Sequence, residues 1–409
     1  MYENLAILVT FIFLYSIING GLEKTPVSGA MVYTTFGLLF GPLCFGLLTL
    51  KIDAEFLKSL AEMTLALVLF TDAANANLGV LKKSYRIPQR LLLIGLPLTI
   101  ILGFLFGMVI FKGLTLLEVA ILATLLAPTD AALGKEVVTN KSVPDNIREG
   151  LNVESGLNDG ICVPIIFVFL ALASTGGQET STPILAIKLV AEDIGIGVAV
   201  GISFTFIAAH LVRYALKKEW IGETWRQLTV IAMALSCFAI AQSLGGSGFI
   251  SSFVGGLFLG GLARRKDRKH DFLLAAEGAG DTFALLTWVA FGSVVVGHSI
   301  GEIRWQIVLY AILSLTIIRM LPVFLVLTKS SLKIKEKLFI GWFGPRGLAS
   351  VVFGVIVANK HFPGGKTITM TAVATIVLSI FAHGLTANPL IKSLFSKINT
   401  DKADTSLEC

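Results

Sequence analysis

The chain has 409 residues, 55% hydrophobic and 15% charged, with a mean hydropathy of +0.81. These proportions exclude a soluble domain with a large core and describe a polytopic membrane protein: a span takes about 20 apolar residues, so the length holds about a dozen spans and little else. The net charge of +6 reads, at this hydropathy, as basic cytoplasmic loops facing anionic lipid and not as a nucleic-acid surface.

The first apolar run, 4–20, follows Glu3 with no basic flank, so it reads as a span and not as a cleaved signal. Span 2 covers about 27–48, with Gly37 and Gly41 spaced for close helix contact. Span 3, about 56–78, carries Asp72 near its end and is followed by the basic stretch Lys82-Lys83-Ser84-Tyr85-Arg86. Spans 4, 5 and 6 are predicted at about 90–111, 115–133 and 149–173. Span 7, about 184–215, is long enough to tilt. Spans 8 to 10 lie at about 225–243, 247–263 and 271–297, with Arg264-Arg265-Lys266 before the last. Spans 11 to 13 lie at about 304–327, 338–358 and 367–391, and the tail from Lys392 reads as short and polar. Thirteen alternating spans with the 79–90 loop inside place 24 of the 33 Lys and Arg on the cytoplasmic side. That asymmetry orients the chain with its N-terminus outside and its C-terminus in the cytoplasm. The cysteines Cys44, Cys162, Cys237 and Cys409 are scattered and suggest no disulfide framework.

Chemistry concentrates in spans 5 and 6. Ala127-Pro128-Thr129-Asp130 ends one apolar run, and Glu154-Ser155-Gly156-Leu157-Asn158-Asp159-Gly160 opens the next. A carboxylate at membrane depth costs roughly 2.5–3.5 kcal/mol on insertion scales, so Asp130, Glu154 and Asp159 are functional candidates by default. On a helix Glu154 and Asn158 are four residues apart, and so are Ser155 and Asp159, giving two adjacent polar stripes. Pro128 removes a backbone donor and restricts Ala127, so a break there frees carbonyls beside Thr129 and Asp130. Such an oxygen cluster suits a hard monovalent cation, by the logic that gives hard divalent ions oxygen ligands. No Cys/His cluster suits a transition metal.

Span 12 has a second interruption, Phe343-Gly344-Pro345-Arg346-Gly347, seven spans after the first. Two six-span halves of opposite direction, each with a broken helix, point to a secondary transporter with its site at the midplane. Arg319, inside span 11, needs a counter-charge, and Glu154 is the predicted partner. Glycines 255, 256, 260 and 261 of span 9 read as close helix packing.

These residues in this order (Ala-Pro-Thr-Asp, Glu-Ser-Gly-Leu-Asn-Asp-Gly, a buried arginine, then Gly-Pro-Arg-Gly-Leu) resemble the monovalent cation:proton antiporter-1 family. Its NhaP-type members are similar to animal sodium/proton exchangers. The resemblance covers nearly the whole chain; the Asn-Asp pair after Glu-Ser-Gly is its specific part. It implies an all-α membrane protein of about 13 helices, with two inverted six-helix repeats and crossed interrupted helices. It also implies a core domain, approximately 90–175 and 304–391, and a dimerisation or scaffold domain, approximately 1–78 and 225–297, joined by a linker helix at 184–215. Asp159 is carried over as the residue that binds proton or cation, with Asn158 as its structural partner. Thr129, Asp130, Glu154 and Ser155 are carried over to the cation site or its support, Arg319 to the ion pair with Glu154, and Arg346 to the second crossing. The long cytoplasmic regulatory tail of animal exchangers is missing, which argues against calmodulin- or kinase-type regulation.

The expected function is electroneutral exchange of Na+ or Li+ for H+ across the cell membrane, by a homodimer without a cofactor and without enzymatic activity. Burial raises a carboxylate's pKa and a bound cation lowers it, so proton and cation compete for Asp159. Asn158 does not titrate and Arg319 stays protonated, so one acid alternates and one proton moves per cation. K+/H+ exchange is the rival within the family. An intramembrane aspartyl protease is a further alternative, because Gly278-Ala279-Gly280-Asp281 matches Gly-x-Gly-Asp, but the chain has no Tyr-Asp or Pro-Ala-Leu to go with it. A cation channel is another, separable by its uncoupled current. No nucleotide loop or His-Glu-x-x-His supports ATP-driven pumping. Asp72, Glu277 and Asp281 are predicted to line a cytoplasmic funnel. Each of the histidines 210, 270, 298, 361 and 383 reads as solvated or interfacial.

Overall fold

A segment in lipid must pair its own backbone groups, and the helix is the local way to do so. The computed structural model describes residues 2–22, 25, 27–48, 54–75, 86–130, 133, 137–138, 140, 142–175, 183–262, 266–297 and 304–405, and all regular structure among them is helical. In chain order the spans are α1 (Tyr2–Leu22), α2 (Gly29–Phe40), α3 (Ala54–Asn75), α4 (Arg86–Ile110), α5 (Leu116–Leu125), α6 (Asp145–Thr175) and α7 (Pro183–Lys217). They continue as α8 (Glu223–Ser243), α9 (Gly248–Leu262), α10 (Lys266–Ala290, prolonged by a π-helical Phe291–Val296) and α11 (Trp305–Val326). Last come α12, in two halves (Ile334–Trp342 and Leu348–Ala358), and α13 (Gly365–Thr405).

Local chemistry explains the boundaries. Thr115 opens α5 through a capping box with Glu118: the Thr115 N–H donates to Glu118 at 2.9 Å and the Glu118 N–H to the Thr115 hydroxyl at 3.3 Å. The other oxygen of buried Glu118 accepts the Gly364 N–H at 2.6 Å, tying the start of α5 to the start of α13. After Leu125 the chain turns extended through Pro128-Thr129-Asp130. In α12 it leaves the helix over 343–347, first in a tight turn where the Gly344 N–H donates to the Trp342 carbonyl at 2.8 Å, and Pro345 withholds a donor.

Two boundaries depart from the sequence reading. Span 2 is helical only to Phe40, because Gly41 is extended (φ −69°, ψ 179°) and the chain turns back on itself. The sequence predicts a short polar tail from Lys392, yet α13 continues as helix to Thr405. Phe395 is buried there against Phe339, 5.0 Å between ring centroids, so packing holds the helix beyond the apolar run. Of the basic loops used for orientation, Lys82, Lys83, Arg264 and Arg265 lie outside the described residues, as do His298 and Cys409.

Helices α4, α5, α6, α11, α12 and α13 pack around one another, and α3, α7, α8, α9 and α10 around one another. Helix α6 meets α3, α7 and α9, and the second half of α12 meets α3. Small residues set the close crossings: a side chain at Gly256 would enter the backbone of Phe70, and one at Gly37 that of Val289. Gly261, predicted to pack likewise, faces open space. Helix α1 lies outermost, with no buried residue, and rests on α2 through Phe11 stacked on Phe36 at 3.8 Å.

Candidate functional site: the crossing of two broken helices

The non-helical segments after α5 and inside α12 meet where the Asp130 N–H donates to the Pro345 carbonyl at 2.8 Å. Each break exposes helix-end groups, and a charged side chain from the opposite break answers them. Asp130 accepts the Leu348 N–H at 3.0 Å, so a carboxylate sits at the N-terminus of the second half of α12. Arg346, fully buried, reaches the carbonyls of Ala127 (3.5 Å) and Pro128 (3.4 Å) at the C-terminal end of α5, and also those of Gly344 (3.1 Å) and Ser314 (3.3 Å). The carbonyls freed by Pro128, which the sequence suggested as cation ligands, are thus occupied by a guanidinium. Glycine permits this approach: a side chain at Gly347 would overlap the Asp130 carboxylate, and one at Gly344 would strike Arg319 and Thr129.

Helix α6 runs alongside and supplies the remaining polar groups. The Ser155 hydroxyl donates to the Thr129 carbonyl at 2.6 Å, and the Asn158 amide to the Thr129 hydroxyl at 2.6 Å. One turn toward the start of α6, Glu154 holds Arg319 of α11 in a bidentate pair, 2.6 and 2.7 Å, with both side chains about 1–2% exposed. Two parallel charge-assisted bonds engage both Glu154 oxygens and commit that carboxylate to Arg319.

Asp159 differs. It is 7% exposed, its Oδ1 accepts no hydrogen bond, and the neighbouring Asn158 Oδ1 accepts none either. Nearly every buried polar atom in a protein is paired, so such an oxygen calls for an explanation. At the crossing, a water-sized space is lined by Thr129, Asp130, Ser155, Leu151, Phe343 and Pro345. Asp72 of α3 is exposed and lies against Gly156, one turn from Asp159, and both acids lie within electrostatic reach of Asp130. Glu277 of α10 accepts the Asn75 side-chain amide at 2.6 Å, and both Glu277 and exposed Asp281 lie in the field of Asp72.

The sequence reading missed His383. Expected at an interface, it is 1% exposed and braces the α12 break. With the proton on Nε2, it donates to the Trp342 carbonyl at 2.9 Å, the last residue before the break, while Nδ1 accepts the Ser379 hydroxyl at 3.1 Å. Ser379 in turn accepts the Arg346 N–H at 2.6 Å. The signal available was the Ser379–His383 spacing of one helical turn inside an apolar run. His210 is exposed, its Nδ1 2.8 Å from the Phe206 carbonyl; His361 lies in the turn before α13 with φ 52°; the His270 side chain is outside the described set.

Opposed broken helices that neutralise each other's ends around a buried polar centre define a multi-pass membrane transporter built on inverted repeats. The chain belongs to the family described as sodium/hydrogen exchanger, transmembrane, whose model matches residues 7–393. This is the family its motifs resemble, and its members are transporters. Among relatives, the chain is 24% identical over 269 residues to the K(+)/H(+) antiporter NhaP2 of Shewanella oneidensis, covering 66% of this chain and 46% of the relative. The chain thus spans about half the length of that relative. It is 24% identical over 338 residues to the Na(+)/H(+) antiporter of Schizosaccharomyces pombe, covering 74% and 71% respectively. In fold it is similar to the sodium proton antiporter MjNhaP1 of Methanocaldococcus jannaschii, with a TM-score of 0.73, 22% identity, and 96% and 98% of the two chains covered.

Proposed function

We propose that the protein exchanges Na+ or Li+ for H+ across the cell membrane by alternating access, with Asp159 binding proton and cation in turn. The observation that carries this reading is the buried Asp159 Oδ1 with no hydrogen-bond partner. The other charges of the centre have occupations: Glu154 holds Arg319, Asp130 caps α12, and Arg346 covers the end of α5. A bare carboxylate is costly to move through low dielectric. A proton or a partly dehydrated alkali cation each removes that cost, and neither leaves room for the other. The cation would take oxygens from Asp159, Ser155 and Thr129.

In this reading α4–α6 and α11–α13 form the moving core, α1–α3 and α8–α10 the scaffold, and α7 the link. Asp72, Glu277 and Asp281 gather cations at the cytoplasmic mouth. The N-terminus is outside and the C-terminus in the cytoplasm of an inner membrane. Two copies associate through the apolar face of α1, where Val9, Phe13 and Ile17 are exposed. The protein carries out transport only, with no catalysis and no cofactor. The name of the Shewanella relative favours potassium as a second reading.

Proteoliposomes under an imposed pH gradient test the proposal. Sodium or lithium should collapse the gradient, and an imposed voltage should leave the rate unchanged. Potassium alone doing so would transfer the reading to K+/H+ exchange. A strong voltage response would end the one-for-one stoichiometry.

A further inference from the structure

Asp159 is followed on α6 by Gly160, and the missing side chain has a neighbour in its place. The ring of Phe253, from α9, lies where a Cβ on Gly160 would be. One turn back along α9, Phe249 lies over Phe167 of α6 (centroids 6.3 Å apart, planes 22° apart) and against Phe238 of α8 at 5.3 Å. Beyond these rings lies a cavity of about 430 Å3, lined by Phe167, Phe249, Ile250, Glu62, Asp193 and Lys360, among others. Its lining comes from the start of α3, the start of α7 and the end of α12, all at the same end of the molecule. The water-sized space at Thr129, Asp130 and Ser155 is lined by Val137, Leu151 and Phe343, which belong to the opposite half.

Phe249 lines the larger cavity, and Phe253, one turn further along α9, meets α6 at Gly160, the residue next to Asp159. We propose that Phe253 is the barrier that closes the site toward the outer cavity, and that Gly160 is the smooth surface past which it slides. The proposal rests on the functional reading above, because it takes α6 to move against α9. Phe253 belongs to the static group of helices and Gly160 to the group that carries Asp159. Their contact, made without a side chain on α6, is among those that relative motion would break, and it lies next to Asp159. A ring at this contact excludes water and ions while the site faces the other way, and so enforces coupling. It touches neither ion, so its role is in gating and not in binding.

The test uses the full-length protein in proteoliposomes, with radioactive sodium as the probe. Wild-type vesicles should exchange sodium for protons and take up none in response to an imposed voltage without a pH gradient. Phe253→Ala should add a voltage-driven sodium leak several-fold above that background, with Phe253→Leu leaking less as a variant that keeps more of the packing. Phe253→Trp should lower the maximal exchange rate several-fold while the sodium concentration for half-maximal rate stays unchanged. Tight vesicles with either smaller side chain, together with a wild-type rate for Phe253→Trp, would overturn the barrier while leaving the exchange reading intact. Failure of the wild type itself to exchange would remove the functional reading and the barrier with it.

Discussion

Three acids share the centre, and their surroundings separate their roles. Glu154 is paired through both oxygens with Arg319, and both side chains are buried. Removing one member of such a pair leaves a buried charge without a partner, at a cost of about 3–5 kcal/mol, whereas replacing both with apolar side chains of like volume is often neutral. Glu154→Met and Arg319→Met should therefore each lower the unfolding temperature in detergent more than the double substitution does; additive losses would show that the pair is not coupled. Ser155 holds the Thr129 carbonyl at 2.6 Å. Ser155→Ala should raise the cation concentration for half-maximal exchange while leaving the fold intact. The net value of one such bond is about 1 kcal/mol, roughly fivefold in affinity. An unchanged half-maximal concentration would place Ser155 outside the cation site.

At the scale of elements, the crossing works because each broken helix end meets a charge of the right sign. Asp130 stands at an N-terminus, and Arg346 covers the terminal carbonyls of α5. Helix α13 braces the arrangement through His383 and Ser379. His383→Ala would remove one of the two donors to the Trp342 carbonyl, which keeps the Gly344 N–H at 2.8 Å, a loss of about 0.5–1.5 kcal/mol. His383→Gln, which keeps an amide donor, should recover part of the loss on thermal unfolding; equal losses would show that shape and not hydrogen bonding is the contribution of His383. The breaks were legible in the sequence because proline and glycine act locally, at Pro128 and Pro345. The Glu154–Arg319 pair was legible because a lone charge in an apolar run demands a partner. His383 and Phe253 were not, because a single histidine or phenylalanine in a greasy span looks the same whether it meets lipid or another helix. Only the long-range contacts, His383 with Trp342 and Phe253 with Gly160, decide between the two.

For the whole molecule, the proposed mechanism sets a static group of helices against a group that carries the ion. Spans and inverted halves followed from hydropathy and from the seven-span separation of the breaks, while the extension of α13 to Thr405 rests on tertiary packing that composition does not record. Competition for one carboxylate fixes the pH dependence. Protons occupy the site as pH falls, so the half-maximal cation concentration should climb, approaching tenfold per pH unit, with the maximal rate recoverable at saturating cation. A falling maximal rate that added cation cannot restore would mean that the two ligands bind separate groups. Whether one carboxylate serves both ligands is decided by adding sodium to the purified protein in weak buffer and counting the protons released per cation bound. Close to one proton per cation from the wild type, and none from a folded Asp159→Asn variant, is the expected result. Cation binding without proton release, or equal release from that variant, would mean that Asp159 is not shared by the two ligands.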